Sequence, residues 1–128
     1  MTEHLTAEEI LYLHFKVIED YGGIHGIRDE KIIESIVNTP LQEVFGAMLY
    51  KTVYEQAAYY TRALIKDHPF IDGNKRTAIS VMYVFLRRNK MLLTAKPKNL
   101  EDFAVDVAVK NLTIAQIANW IKQNTVKY

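Results

Sequence analysis

A chain of 128 residues fits one domain and is too short for two. With 49% hydrophobic and 24% charged residues, five Gly and three Pro, it has the composition of a folded globule, which excludes disordered, collagen-like and low-complexity classes. Sixteen Lys and Arg against fifteen Asp and Glu leave a net charge of +1, so nothing draws the whole molecule to nucleic acid or anionic lipid, and the absence of Cys removes disulfide scaffolds, thiolate metal sites and cysteine nucleophiles.

The first residues, Met1-Thr-Glu-His-Leu-Thr6, carry neither a basic region nor an apolar core of the kind a secretory signal needs. Thr6-Ala-Glu-Glu9 has the form of a capping box, and behind it Ile10, Leu13, Val17 and Tyr21 recur at helical spacing, widened by Leu11 and Ile18. Gly22-Gly23 closes this first predicted helix. Asp29 can cap a second, with Ile32, Ile33, Ile36 and Val37 on its buried face and Pro40 after its end. Residues 40–50 are apolar without a clear period and read as an irregular or short extended segment.

A third helix spans Thr52 to Lys66, with Val53, Ala57, Tyr60 and Leu64 along one side. The tyrosines at 50, 54, 59 and 60 fit helix packing with their hydroxyls at the rim. The next helix, Asn74 to Arg88, is apolar nearly all round and belongs in the middle of a bundle. Its longest apolar run, Ala78 to Leu86, falls well short of the roughly 20 residues needed to cross a bilayer, so a soluble, cytoplasmic protein is expected. Residues 89–98 form a connection containing Pro97. Asn99 and Asp102 resemble a cap for a helix with Leu100, Phe103, Val107 and Ala108 inward, although Ala104–Val109 alternates enough to be a strand. Thr113-Ile-Ala-Gln116 is a second capping box, opening a last helix with Ile117 and Ile121 buried beside Trp120. The expected architecture is all-α: residues 1–128 as one compact bundle of about six helices around a central apolar helix.

His68-Pro-Phe-Ile-Asp-Gly-Asn-Lys-Arg76 lies between the two strongest helices and is built unlike a plain connector. Asp72 and Gly73 are turn residues, and Asn74 opens a helix whose first amides and positive dipole end can hold an anion. Gly73 permits close approach to the backbone. Lys75 and Arg76 have the wrong sign for a helix N-terminus unless a polyphosphate sits there. His68 supplies an imidazole, a side chain that can accept a proton. Asp72 offers a hard oxygen to Mg²⁺, which takes only one or two carboxylates when it is bound to phosphates. A base, a metal carboxylate and an anion cradle within nine residues are what phosphoryl or nucleotidyl transfer requires. P-loop, protein-kinase and dinucleotide fingerprints are absent, and His4, His14, His25 and His68 lack zinc-ligand spacing. His14 and His25 read as structural.

The string His68-x-Phe70-x-Asp72-Gly73-Asn74-x-Arg76 resembles the Fic motif, and its continuation through Thr77-Ala78 resembles the Doc (death-on-curing) branch of that family. Gly22-Gly23, Gly26-Ile-Arg-Asp29 and Phe85-Leu-Arg-Arg-Asn89 also look Doc-like, so the likeness runs from about Leu5 to Gln123. It implies a Fic/Doc-like fold with His68 as general base, Asp72 on Mg²⁺, Gly73, Asn74, Lys75 and Arg76 on the phosphates of ATP, and Phe70 as a packing anchor for the loop. Fic proteins carry Gly where this chain has Lys75, and a second Arg, which holds the distal phosphates for AMP transfer, where it has Ile79. In Doc proteins the nucleotide lies reversed and presents its γ-phosphate. The resemblance therefore favours an ATP-dependent kinase over AMP transfer: a toxin that phosphorylates Ser or Thr of a translation factor, with elongation factor Tu the expected target. It also implies a cognate antitoxin whose disordered tail folds on binding in a hydrophobic groove. A non-catalytic protein- or RNA-binding regulator has its only support in the basic residues Arg87, Arg88, Lys90, Lys96 and Lys98.

Overall fold

The computed structural model describes residues 2–128. Six α-helices dominate: α1 (Ala7–Tyr21), α2 (Glu30–Asn38), α3 (Val53–Asp67), α4 (Asn74–Arg88), α5 (Pro97–Val109) and α6 (Ile114–Gln123). The chain is an all-α domain, and among the described residues no helix is long and apolar enough to cross a membrane.

Local chemistry explains the boundaries. Thr6 and Glu9 exchange both bonds of a capping box at α1, and Thr113 and Gln116 do the same at α6. Asp29 and Thr52 cap α2 and α3 through their side chains. The start of α5 differs from the sequence expectation. Pro97, not a residue after Asn99, occupies its first turn, where a missing N–H costs nothing. Residues 104–109, which alternate like a strand, are helical because Phe103, Ala104 and Val107 share the face that meets the core.

Two small antiparallel pairs complete the fold. Residues 39–50 hold a short 3-10 turn (Thr39–Leu41) and a hairpin of β1 (Glu43–Val44) and β2 (Ala47–Met48), turning through Phe45-Gly46, both at positive φ. Within the predicted connection 89–98, β3 (Met91–Leu93) pairs with β4 (Thr125–Lys127). Strands of three residues show too little periodicity to be seen in advance.

The core is continuous from Leu5 to Ile121. α4 contributes Ala78, Val81, Met82, Phe85 and Leu86 and lies between α1, α3 and α5. α3 shares the central position: eight of its residues are buried, among them the small Ala57, Ala58, Thr61 and Ala63, which let α4 and α6 approach closely. Tyr60 is fully buried rather than at the rim, its hydroxyl meeting the Leu5 amide, and burial raises its pKa. This α3–α4 pair matters for the site because the motif loop is the short link between them.

Candidate active site

α3 stops at Asp67 because His68 adopts a left-handed conformation, φ 48° and ψ 63°. Such backbone costs on the order of 1–3 kcal/mol in a residue with a side chain, so surrounding structure must hold it there. The loop then runs inward through buried Pro69 and Phe70 and out again through exposed Ile71 and Asp72. Gly73, at φ 77°, is the N-cap of α4. Its backbone disfavours L residues, and an added Cβ would also press on the end of the Ile18 side chain at 3.0 Å.

Asn74 ties the loop to itself. Its side-chain oxygen accepts the Phe70 N–H at 3.0 Å and its side-chain nitrogen donates to the Phe70 carbonyl at 2.9 Å. Phe70 is 1% exposed and stacks face to face on His14, 3.7 Å between ring centres. Only the neighbouring chain turns outward, so His68 and Asp72 are presented on opposite shoulders of a pinned loop.

The mouth of α4 is left open. Unlike α1, α2, α3 and α6, it has no side chain capping its amides. Lys75 and Arg76 are exposed in its first turn, and neither pairs with a carboxylate among the described residues. The Arg76 guanidinium lies over the Tyr21 ring, 4.1 Å from its centre. This corrects the expectation that Tyr21 is buried on α1: it is 67% exposed, at the end of the helix, beside the site. A cleft of about 350 Å³ is lined by His68, Asp72, Gly73, Asn74, Lys75 and Arg76, together with Val17, Gly22 and Ile71. Its size is within the range of small-ligand sites. Every charged or polar residue that the sequence singled out for chemistry therefore faces one cleft, with Phe70 beneath it.

Asp72 is positioned by backbone alone. One carboxylate oxygen accepts the Gly73 N–H at 2.9 Å and the other the Ile24 N–H at 3.0 Å. Two N–H bonds leave about half of a carboxylate's acceptor sites free. Among the described residues no group of three or more acidic, His or Cys side chains could enclose a metal. This donor set suits Mg²⁺ shared with phosphates and does not suit a resident metal.

Several residues that build the site had no role at the site in the sequence reading. A Cβ on Gly23 would come within 2.6 Å of the Asp72 carboxylate, so the second glycine of the Gly22-Gly23 pair makes room for that side chain. Arg28 donates to the carbonyls of Asp67 and His68, and the amides of Arg28 and Asp29 donate to that of Pro69. His25 is exposed and pairs with Glu19. Tyr50 and Tyr54 do not line the cleft: Tyr50 stacks on Tyr59, and the Tyr54 hydroxyl points to Met91.

His14 is structural, as its helical position suggested, and it serves the motif loop. Its Nε2 lies 2.8 Å from the Asp72 carbonyl, which can only accept, so that nitrogen carries a proton and donates it. Burial lowers its pKa, and the bond to Asp72 opposes this in part. The unfolded chain therefore takes up a proton near pH 6.5 that the folded chain refuses, and stability falls as pH drops through that value. His14→Gln, which can still donate to Asp72, should flatten the fall in melting temperature between pH 7.5 and 5. His4, also lowered by burial, will retain part of the slope. An unchanged slope, measured without nucleotide or metal, would remove His14 from this account.

The sequence comparisons agree with this geometry. The Fic/DOC family model matches residues 4–86, which span α1 through most of α4 and contain the whole cleft. "Protein kinase doc" of Escherichia phage P1 is 31% identical over 123 residues, covering 94% of each chain. "Toxin Doc" of Mycolicibacterium smegmatis is 31% identical over 120 residues, 92% of this chain and 90% of that one. With its motif loop seated between two packed helices and relatives matched along nearly their whole length, the chain belongs to the Fic/DOC family.

Proposed function

We propose that this protein is a Doc-like toxin that transfers the γ-phosphate of ATP to a Ser or Thr hydroxyl of a translation factor. The observation that carries the reading is the convergence of His68, Asp72 and the uncapped, doubly cationic mouth of α4 on one cleft. His68 takes the proton of the acceptor hydroxyl, and the hydroxyl oxygen forms a bond to the γ-phosphorus as the bond to the β-phosphate oxygen breaks and ADP leaves. The first amides of α4, Lys75 and Arg76 hold the phosphates, with the guanidinium plane suited to a two-point contact. Mg²⁺ bound with the nucleotide on Asp72 would neutralise developing charge.

Kinase chemistry is favoured over AMP transfer because position 79, where Fic enzymes use a cation for the distal phosphates, holds a half-buried Ile packed against the core. The name of the phage P1 relative agrees with that preference. The RNA-binding alternative rests on a basic cluster in which Arg88 is already engaged with Glu9 and Arg87 with Tyr128. Elongation factor Tu is the proposed target, which would place the protein in the cytoplasm. An antitoxin tail, folding into a helix, is proposed to occupy the groove of about 360 Å³ between α1 and α4, lined by Tyr12, Leu13 and Val84 under the Glu9–Arg88 pair.

The test is a transfer assay with ATP labelled at either end of its phosphate chain. Label should reach the translation factor from the γ position only, and a cognate antitoxin should stop it. Label arriving from the α position alone would replace the kinase reading with AMP transfer, and salt-sensitive RNA binding without any transfer would replace both.

A further inference from the structure

Three successive carbonyls, those of Asp67, His68 and Pro69, mark the exit from α3, and all three are held by one neighbouring dipeptide. The Arg28 guanidinium spans the first two, its Nη2 donating to Asp67 at 2.6 Å and its Nε to His68. The amides of Arg28 and Asp29 converge on the third, at 2.7 and 3.1 Å. The residue at the centre of this grip, His68, is also the one in left-handed backbone, where a side chain is disfavoured. A single planar fork thus fixes the two peptide groups on either side of the His68 Cα, and with them the direction in which the imidazole leaves the chain.

We propose that Arg28 is a positioning residue for the transfer reaction: it locks the left-handed turn that aims His68 into the phosphate cleft, without touching nucleotide itself. Arg28 does not line the cleft, and its guanidinium donates to backbone carbonyls. Asn74 and the His14–Phe70 stack hold the other end of the loop, so the phosphate cradle at Gly73–Arg76 is anchored independently of Arg28. The division of labour is specific. Losing Arg28 frees the base and leaves the cradle in place. Lysine, a point charge on a flexible stem, can hold one carbonyl but cannot span two with a rigid fork.

This proposal rests on the reading of His68 as the base, and the test separates the two. In the full-length protein, Arg28→Met should lower kcat for protein phosphorylation at least tenfold while KM for ATP stays within about twofold. Arg28→Lys should fall between Arg28→Met and the parent. The Cα shift of isotope-labelled His68 should move away from its left-handed value in Arg28→Met. If Arg28→Met is too unstable to assay, Arg28→Lys and Arg28→Gln carry the same comparison. A kcat equal to that of the parent, or a parallel loss of kcat, ATP affinity and melting temperature, would overturn the proposal. Should His68→Ala keep full activity, the reading of the base fails instead, whatever Arg28 does.

Discussion

His68→Ala is expected to reduce phosphate transfer by roughly 10²–10⁴-fold, the usual contribution of a positioned general base. In cells it should abolish growth arrest on expression. The protein should stay folded, because the imidazole is exposed and makes no hydrogen bond among the described residues, while the carbonyl of residue 68 goes on accepting from Arg28. The one structural demand at this position is left-handed backbone, which Asn tolerates better than Ala. His68→Asn is therefore the cleaner variant: equally inactive, with a melting temperature at or above that of His68→Ala. ATP affinity should survive in both, since the phosphates rest on the next helix. Wild-type toxicity or transfer in either variant would take His68 out of the mechanism.

The separation of base from cradle also explains which parts of this molecule were legible as sequence. The motif was legible because its residue types are unusual in combination: a His, a turn-forming Asp-Gly and two cations at a helix start have no joint structural explanation except an anion. Capping chemistry was equally visible at Thr6 and Thr113, where three-residue spacing reports a local hydrogen-bond exchange. What stayed hidden was everything that acts across distance. Arg28 lies 40 positions from the carbonyl it grips, and His14 lies 58 from the one it meets. No period or local pattern carries such pairings. Tyr21 had the spacing of a core residue, and only the end of α1 against Arg76 turns its ring to the surface. The pairing of β3 with β4 failed to show for the same reason, joining residues more than 30 positions apart through strands of three.

Phe70→Ala should be the most destabilising change within the motif, and through stability it should reach function. The side chain is almost wholly buried, in contact with the His14 ring and continuous with the core. Removing such a ring costs about 3–5 kcal/mol, a large share of the roughly 5–15 kcal/mol that holds a domain folded. A fall in melting temperature on the order of 10–20 °C follows for a domain of this size. Phe70→Leu keeps much of the volume and loses the face-to-face contact, so it should cost distinctly less. Because the Phe70 and His14 rings are parallel with centres 3.7 Å apart, their truncations should be non-additive, and a double-mutant cycle should return a coupling of about 0.5–1.5 kcal/mol. Additive losses would mean that the two rings share a space without supporting each other. The kinetic signature should differ from that of His68 as well. Phe70 lies beneath the whole loop, so at temperatures where Phe70→Ala is still folded, KM for ATP should rise along with the fall in kcat. An unchanged KM would show that Asn74 alone can hold the cradle through its paired bonds to the Phe70 backbone, which survive the loss of the ring.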